Sequence, residues 1–361
     1  MNVESILHNI LSGQRMTPNE ATFLLSVRGP EVFSIFAAAD EIRKRKVGDT
    51  VTYVRNMNVH ITNICKNLCK FCGFGTRRDA QGAYLFTKEE IYQQTLSAKK
   101  YGATEICLLS GVHPDFTLSH YLAFLRWVHD IYPDVHIHAF SPDEIDWIVR
   151  QGQLSLSEVL DALKDGGLGT MQGTAAEILV DDVRKVICPA KVSSARWEEI
   201  IRLAHAKGLL TSATIMYGSV ERMEDRAHHL NLIRSIQDDT QGFTEMVLLS
   251  YVHANTPLCQ EGVIRFGPSG MDDLVTTAVA RLFLDNFDNI QISWPKLGRK
   301  ITQIALCVGA NDLSGTMFQD AVTSEAGLAM ESCLEPEEME HMVHELNRTL
   351  QQRSTEYGII S

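Results

Sequence analysis

A single (βα)8 barrel of the TIM type, an α/β fold with a helical extension before it and a helix after it, is the architecture this sequence predicts. Three observations predict it. Eight short apolar runs alternate with amphipathic helical stretches, no Ser/Gly/Pro-rich linker separates them, and 361 residues with 45% hydrophobic side chains suffice for one large core.

The extension reads as three helices, at roughly residues 3–12, 17–26 and 29–46. The last, within PEVFSIFAAADEIRKRKVG, has apolar side chains three and four apart and a glycine stop. The strand candidates follow in order: NVHIT at 58–62, EICLLSG at 105–111, VHIHAF at 135–140 and LGTMQG at 168–173. Four more are LLTSATIMYG at 209–218, TEMVLLSY at 244–251, NIQISW at 289–294 and CVGAND at 307–312. The fourth and eighth are short and glycine-rich, so a partly open barrel of six strands is the alternative. In the tail, EPEEMEHMVHELNRTLQQRS reads as one helix, with proline and glutamates in its first turn. The chain then divides into an extension (1–50), a barrel (51–331) and a helical tail (332–361).

Helices cover the outside of such a barrel, so the apolar face of each strand turns outward and its polar face enters the lumen. In DVHIHAF this puts Val135, Ile137 and Ala139 outside and His136, His138 and Phe140 inside. In NVHIT it puts Val59 and Ile61 outside and Asn58, His60 and Thr62 inside, and NIQIS contributes Gln291 and Ser293 to the lumen. A lumen so rich in hydrogen-bonding groups reads as a site.

A formal net charge of -12, from 33 basic against 45 acidic side chains, argues against a surface built mainly for nucleic acid or anionic lipid. No apolar run approaches the ~20 residues of a membrane span, and the start, MNVESILHNILSGQRM, lacks the basic flank and apolar core of a signal peptide. A cytoplasmic protein acting on small molecules is the expectation. Of the eight cysteines, Cys107, Cys188, Cys259, Cys307 and Cys333 stand singly among apolar or small neighbours and read as packed thiols.

Cys65, Cys69 and Cys72 are different. Their C-x3-C-x2-C spacing directly follows the first predicted strand, at the barrel end where such folds carry their chemistry. Three thiolates on one tight loop suit three irons of a [4Fe-4S] cluster and leave the fourth iron open, whereas a structural zinc site wants a fourth protein ligand.

The triad and the strand before it resemble the radical S-adenosylmethionine (SAM) superfamily. The strings AFSPDEI, GLGTMQGTAAEIL, TSATIMYGSVE, GFTE, NIQISWPKLG and GANDLSGT are similar to the branch holding the tyrosine-using subunit of FO synthase and its menaquinone-pathway relatives. The resemblance runs from about residue 30 to about residue 330.

What it implies is a [4Fe-4S] cluster whose open iron chelates SAM, and an electron from the cluster that yields a 5'-deoxyadenosyl radical. It further implies a transferase that couples a tyrosine-derived 4-hydroxybenzyl group to 5-amino-6-(D-ribitylamino)uracil in coenzyme F420 biosynthesis, with a reductase, flavodoxin or ferredoxin as electron donor. On the same resemblance Phe71 lies by the adenine, and Ser110 and Gly111 form the turn that receives the SAM amino group. Gln172, Thr174 and Glu177 lie near the SAM ribose and methionine, and Arg184 is the partner of the SAM carboxylate. Glu177 and His138 are the catalytic candidates. His60, His138, Tyr217, Glu245, Ser293 and Asn311 are the substrate-contact candidates.

The sequence departs from the pattern at Ser110, at Val247 to Tyr251 and at Ser314, where relatives usually carry a glycine, a proline-rich strand end and a second glycine. Such changes bear on the substrate wall, which keeps open an aminofutalosine synthase, a dehypoxanthine futalosine cyclase or a paralogue with another substrate. A non-catalytic metal-binding protein is the alternative of another class.

Overall fold

The structure, a computed structural model, describes residues 1–317, 325–327 and 333–360. The boundary expected at 331/332 lies outside the described residues. Three helices open the chain as expected: α1 (Val3–Leu11), α2 (Pro18–Ser26) and α3 (Val32–Val47). They are not a separate unit, for the apolar faces of α2 and α3 pack against later helices of the barrel wall.

β1 (Thr50–Val54) and β2 (Asn56–Thr62) follow, separated only by Arg55. The barrel then alternates through α4 (Lys88–Lys100), β3 (Glu105–Ser110), α5 (Leu118–Ile131), β4 (His136–Ala139), α6 (Pro142–Gly152), α7 (Leu156–Asp165) and β5 (Thr170–Met171). Next come α8 (Asp181–Ile187), α9 (Ser194–Ala206), β6 (Thr211–Tyr217), α10 (Met223–Thr240), β7 (Phe243–Ser250), α11 (Pro257–Gln260) and α12 (Gly270–Phe283). The chain ends with β8 (Ile290–Ile292), α13 (Trp294–Leu306), β9 (Asp312–Gly315), α14 (Pro336–His344) and β10 (Thr349–Arg353).

Local sequence explains many of these starts. Thr17/Glu20, Thr87/Glu90, Ser141/Glu144 and Ser155/Glu158 each form a capping box, which satisfies backbone donors at the first turns of α2, α4, α6 and α7.

All strand pairs are parallel, in the order β10-β1-β9-β8-β7-β6-β5-β4-β3-β2. Because β1 runs into β2, one continuous segment touches β9 through its first half and β3 through its second, curling the sheet into the expected TIM-type barrel. β1 was not anticipated: its TVTYV alternation lies just before the run read as the first strand.

Two further expectations are corrected. The eighth strand forms at 312–315 rather than 307–312, since Cys307 closes α13 and Gly309 turns with φ +116°. The tail helix stops at His344; Asn347 takes φ +54°, and residues 349–353 add a strand beside β1, which no closed eight-stranded barrel would need. The weakest strand, β5, is indeed only two residues long.

Outward and inward faces follow the predicted alternation at most positions: Val59, Ile61, Ile137 and Ala139 are buried against the helix layer. Phe140 breaks it. With φ +60° it leaves the strand and packs edge-on to Tyr121 of α5, outside the lumen. Cys188 is buried as expected, but Cys307 is exposed. Among the described residues no helix is long and apolar enough to cross a membrane.

Candidate active site

Two connected chambers occupy the barrel, one at the C-terminal end of the strands and one below it in the lumen. The upper, about 260 Å³, is lined by Cys65, Cys69 and Cys72 together with Phe71, Ser110, Gly111 and Glu177. The lower, about 240 Å³, is lined by His138, Glu245 and Ser293, with Glu105 and Arg353 at its floor. Leu109, Gln172, Thr174, Leu249 and Lys296 line both and form the passage between them.

The cysteine loop is tied down by backbone bonds. Cys65 N–H donates to Thr76 O, Lys66 N–H to Val112 O, and Lys70 N–H to Ile187 O at 2.8 Å. Glycines give it room. A Cβ on Gly75 would lie 3.3 Å from Cys65 Cβ and within 4 Å of the Cys65 and Cys72 sulfurs. A Cβ on Gly111 would lie 2.5 Å from Ile64 O and 3.0 Å from Cys65 Cβ. Burial pushes the Cys69 and Cys72 thiols up, the environment in which iron ligation is what keeps a thiolate. Among the described residues no three His, Cys, Asp or Glu side chains converge tightly enough to hold a single metal ion. The three thiols stand round one cavity, which suits a cluster that takes one thiolate per iron.

The wall facing the thiols is acidic. Asp143 and Glu144, in the first turn of α6, and Glu177 line it. Burial raises the Asp143 pKa and pushes Glu144 up to about 7. Asp143 accepts from Val192 N–H at 2.8 Å and from the Asn67 amide at 2.7 Å, so it joins the cysteine loop to the loop after α8.

Arg184 is not the expected carboxylate partner. It is buried outside the chamber, and its guanidinium donates to the carbonyls of Ala175, Ala176, Ile178 and Val192. The first three carbonyls belong to a turn in which Ala175 and Glu177 hold φ of +66° and +45°, a conformation L-residues rarely adopt unaided, and the fourth to the loop after α8. Arg184 therefore shapes the turn that aims Glu177. Arg184→Met is expected to leave these carbonyls unpaired at ~1–3 kcal/mol each, and a thermal melt should show the loss without any SAM present.

Two cations do line the chamber, Lys296 at the passage and Lys191, which no motif announced. Lys191 pairs with Glu177 at 2.7 Å, lies 3.9 Å from Asp143, and sits 5.5 Å over the Phe71 ring. Burial opposes its charge, but Glu177, Cys69 and Asp143 outweigh that and raise its pKa.

In the lower chamber, His138 Nδ1 shares a 2.7 Å hydrogen bond with Thr170 Oγ1, and burial pushes its pKa down to about 4. Glu105 accepts from the Asn56 amide, the Cys107 thiol and, at 2.7 Å, the Thr355 hydroxyl. Burial works to raise its pKa, yet His138, Arg353 and these hydrogen bonds hold it below the usual value. Arg353 forms a buried pair with Asp312 at 2.5 Å and reaches Gln291 at 3.3 Å. Glu105, Cys107, Arg353 and Thr355 were not foreseen; the last two arrive on the tail that was read as helix. Ser314 has φ +66°, and its hydroxyl accepts from Gln291, which supplies the physical reason for a glycine preference there.

Three expected substrate contacts lie elsewhere. Tyr217 points out of the barrel and donates to Asp273 at 2.9 Å, as period two from the inward Met216 requires. Asn311 lies before β9, where its side-chain oxygen accepts from Arg281 and from Ile290 N–H. His60 packs against Phe74 at 5.6 Å between ring centroids and lines neither chamber.

Comparison with known proteins agrees with this geometry. Residues 59–233 match the radical SAM superfamily, and residues 240–360 match the CofH/MqnC C-terminal region. The chain is 47% identical over 358 residues to the 5-amino-6-(D-ribitylamino)uracil–L-tyrosine 4-hydroxyphenyl transferase of Methanoculleus marisnigri, covering 99% of this chain and 98% of that one. It is 42% identical over 370 residues to the protein of the same name from a Cyanothece species, with 99% and 97% covered. Among solved structures, methylornithine synthase superposes with a TM-score of 0.74 at 18% identity, covering 96% of this chain and 97% of that one. A maturase of the [FeFe]-hydrogenase superposes with a TM-score of 0.76 at 15% identity, covering 97% and 76%. The two superpositions show the barrel; the sequence identity goes further, and the chain belongs to the radical SAM superfamily, within its family of 5-amino-6-(D-ribitylamino)uracil–L-tyrosine 4-hydroxyphenyl transferases.

Proposed function

We propose that this enzyme couples the 4-hydroxybenzyl part of tyrosine to 5-amino-6-(D-ribitylamino)uracil, the step its relatives are named for, in the route to coenzyme F420. The observation that carries the reading is that the three-thiol chamber adjoins a lumen chamber of similar size, lined by many polar side chains, with five lining residues in common. One chamber suits the radical source, the other a polar acceptor.

Cys65, Cys69 and Cys72 would hold the [4Fe-4S] cluster. When bound, cluster and SAM supply a 5'-deoxyadenosyl radical. The chain's own residues do the rest by position. The acidic wall of Asp143, Glu144 and Glu177 suits the ammonium and sulfonium charges of SAM. Lys191 stands in the chamber for a carboxylate, the role Arg184 does not fill. Gly111 leaves the backbone open to close approach, and Phe71 offers a ring face at the rim. At the passage, Leu109 and Leu249 offer apolar surface beside Gln172, Thr174 and Lys296, and apolar surface there helps keep water from the reacting carbons. An external one-electron donor of the flavodoxin or ferredoxin class, or a reductase, completes the cycle.

The test is an anaerobic assay of reconstituted protein with dithionite, SAM, tyrosine and the ribityl-diaminouracil, read by mass spectrometry. Free 5'-deoxyadenosine together with the coupled adduct is the expected result. SAM cleavage without adduct would reject the acceptor, and incorporation of the adenosyl group into product would point to an addition reaction instead.

A further inference from the structure

The lower chamber contains one ionisable group with an oxygen to spare. Glu245 is 7% exposed and lines the chamber, and its Oε2 has no hydrogen-bond partner among the described residues. The surrounding charged groups are committed. Arg353 of β10 is held by Asp312 of β9, and Asp312 also accepts from Thr52 and from Ser314 N–H. Glu105 of β3 takes three donors, and His138 of β4 is bonded to Thr170. Lys296 of α13 stands at the passage above.

A defect in the sheet aims Glu245 inward. β6 and β7 pair Thr211 with Phe243 but Ala213 with Met246, so Ser212 alone stands opposite Thr244 and Glu245. This is a β-bulge. Phe243 packs outward against Trp197 and His205 of α9. Strict alternation from Phe243 would send Glu245 outward too; the extra residue shifts the phase, and Glu245 joins Val247 and Leu249 on the lumen wall. A buried carboxylate oxygen with no donor is costly, and the bulge places that cost in a chamber with room for a ligand.

We propose that Glu245 is the acceptor-positioning residue, its carboxylate taking hydrogen bonds from N–H groups of the diaminouracil and so fixing which ring carbon meets the incoming hydroxybenzyl group. The assignment rests on the function proposed above. The ring belongs here rather than tyrosine, because the bond-breaking step on tyrosine requires it beside the radical source in the upper chamber. The ring's amino, ribitylamino and ring N–H groups are donors, which is what the free Oε2 of Glu245 lacks; a hydrogen bond from Thr244 engages the carboxylate otherwise. Burial pushes the Glu245 pKa up to about 7, with Arg353 and a hydrogen bond from Thr244 opposing and Asp312 and Glu105 assisting, so the carboxylate, the stronger acceptor, gains population as pH rises through neutrality.

The experiment is calorimetric titration of the reconstituted holoenzyme, separately with 5-amino-6-(D-ribitylamino)uracil and with tyrosine, for wild type, Glu245→Gln and Glu245→Asp. At pH 8 the ring should bind wild type at least tenfold more tightly than Glu245→Gln, with Glu245→Asp between them, and the loss in ring affinity should exceed any loss in tyrosine affinity. Wild-type ring affinity should fall between pH 8 and pH 6, and that of Glu245→Gln should stay flat. Equal ring affinity in wild type and Glu245→Gln, a flat wild-type profile, or a loss confined to tyrosine overturns the assignment. The wild-type profile decides even if a variant fails to fold. A wild type that binds tyrosine and cleaves SAM but ignores the ring overturns the proposed function, and this assignment with it.

Discussion

Replacing Arg353 by methionine is expected to cost about 3–5 kcal/mol of folding stability. Asp312 has a fully buried side chain, and Arg353 is its only cationic partner among the described residues. Removing the guanidinium strands that carboxylate, together with Glu105 and Glu245, which Arg353 also favours in their charged forms. Urea unfolding of wild type, Arg353→Met, Asp312→Asn and the double variant measures the coupling. The double variant should recover part of the loss, since the side chain at 312 then carries no charge while Glu105 and Glu245 still lack the guanidinium. A cost below 1 kcal/mol for Arg353→Met would mean that the floor of the barrel is not held by this pair.

Gly111→Ala is expected to lower 5'-deoxyadenosine formation about 100-fold or more, on the scale of a misplacement near 1 Å at a reacting centre. The new Cβ would meet Ile64 O at 2.5 Å and Cys65 Cβ at 3.0 Å, and both belong to the segment that carries the thiols. Neither neighbour is the tip of a flexible side chain, so the cysteine loop itself has to move. Iron and sulfide content after reconstitution, measured beside single-turnover SAM cleavage, separates loss of the cluster from a displaced one. Wild-type cleavage by the variant would show that the loop absorbs the methyl group without consequence.

The catalytic end of the molecule was largely legible in the sequence, for a physical reason. Cys65, Cys69 and Cys72 lie within eight residues, so local spacing places them, while the family resemblance is what named Ser110, Gly111, Gln172 and Thr174, which line the same chamber. Failures cluster where backbone geometry departs from the regular element. Phe140, at φ +60°, could not be placed by alternation; Glu245, a substrate-contact candidate, does line the lumen, although a break in strand register rather than alternation puts it there. Arg184 and Lys191 were beyond sequence reading for another reason. Both are cations near one turn, and which one meets the chamber depends on whether four carbonyls claim the guanidinium. The helical reading of residues 345–354 failed because tertiary pairing with β1 overrides local propensity.

The pairing of Thr50 with Thr349 also sets an order of assembly. Its partners are about 300 residues apart along the chain, so this contact carries the largest loop-closure penalty in the sheet and belongs late in folding. The cysteine loop, by contrast, is held by local backbone bonds between residues 63–65 and 76 and by longer ones to Val112, Ile187 and Leu258, all of which precede the last strand in the chain. During synthesis the three thiols therefore acquire their geometry while the barrel beneath them is still open to solvent, and thiols so exposed are open to oxidation. The time for which they remain vulnerable is set by how quickly the last strand reaches the first.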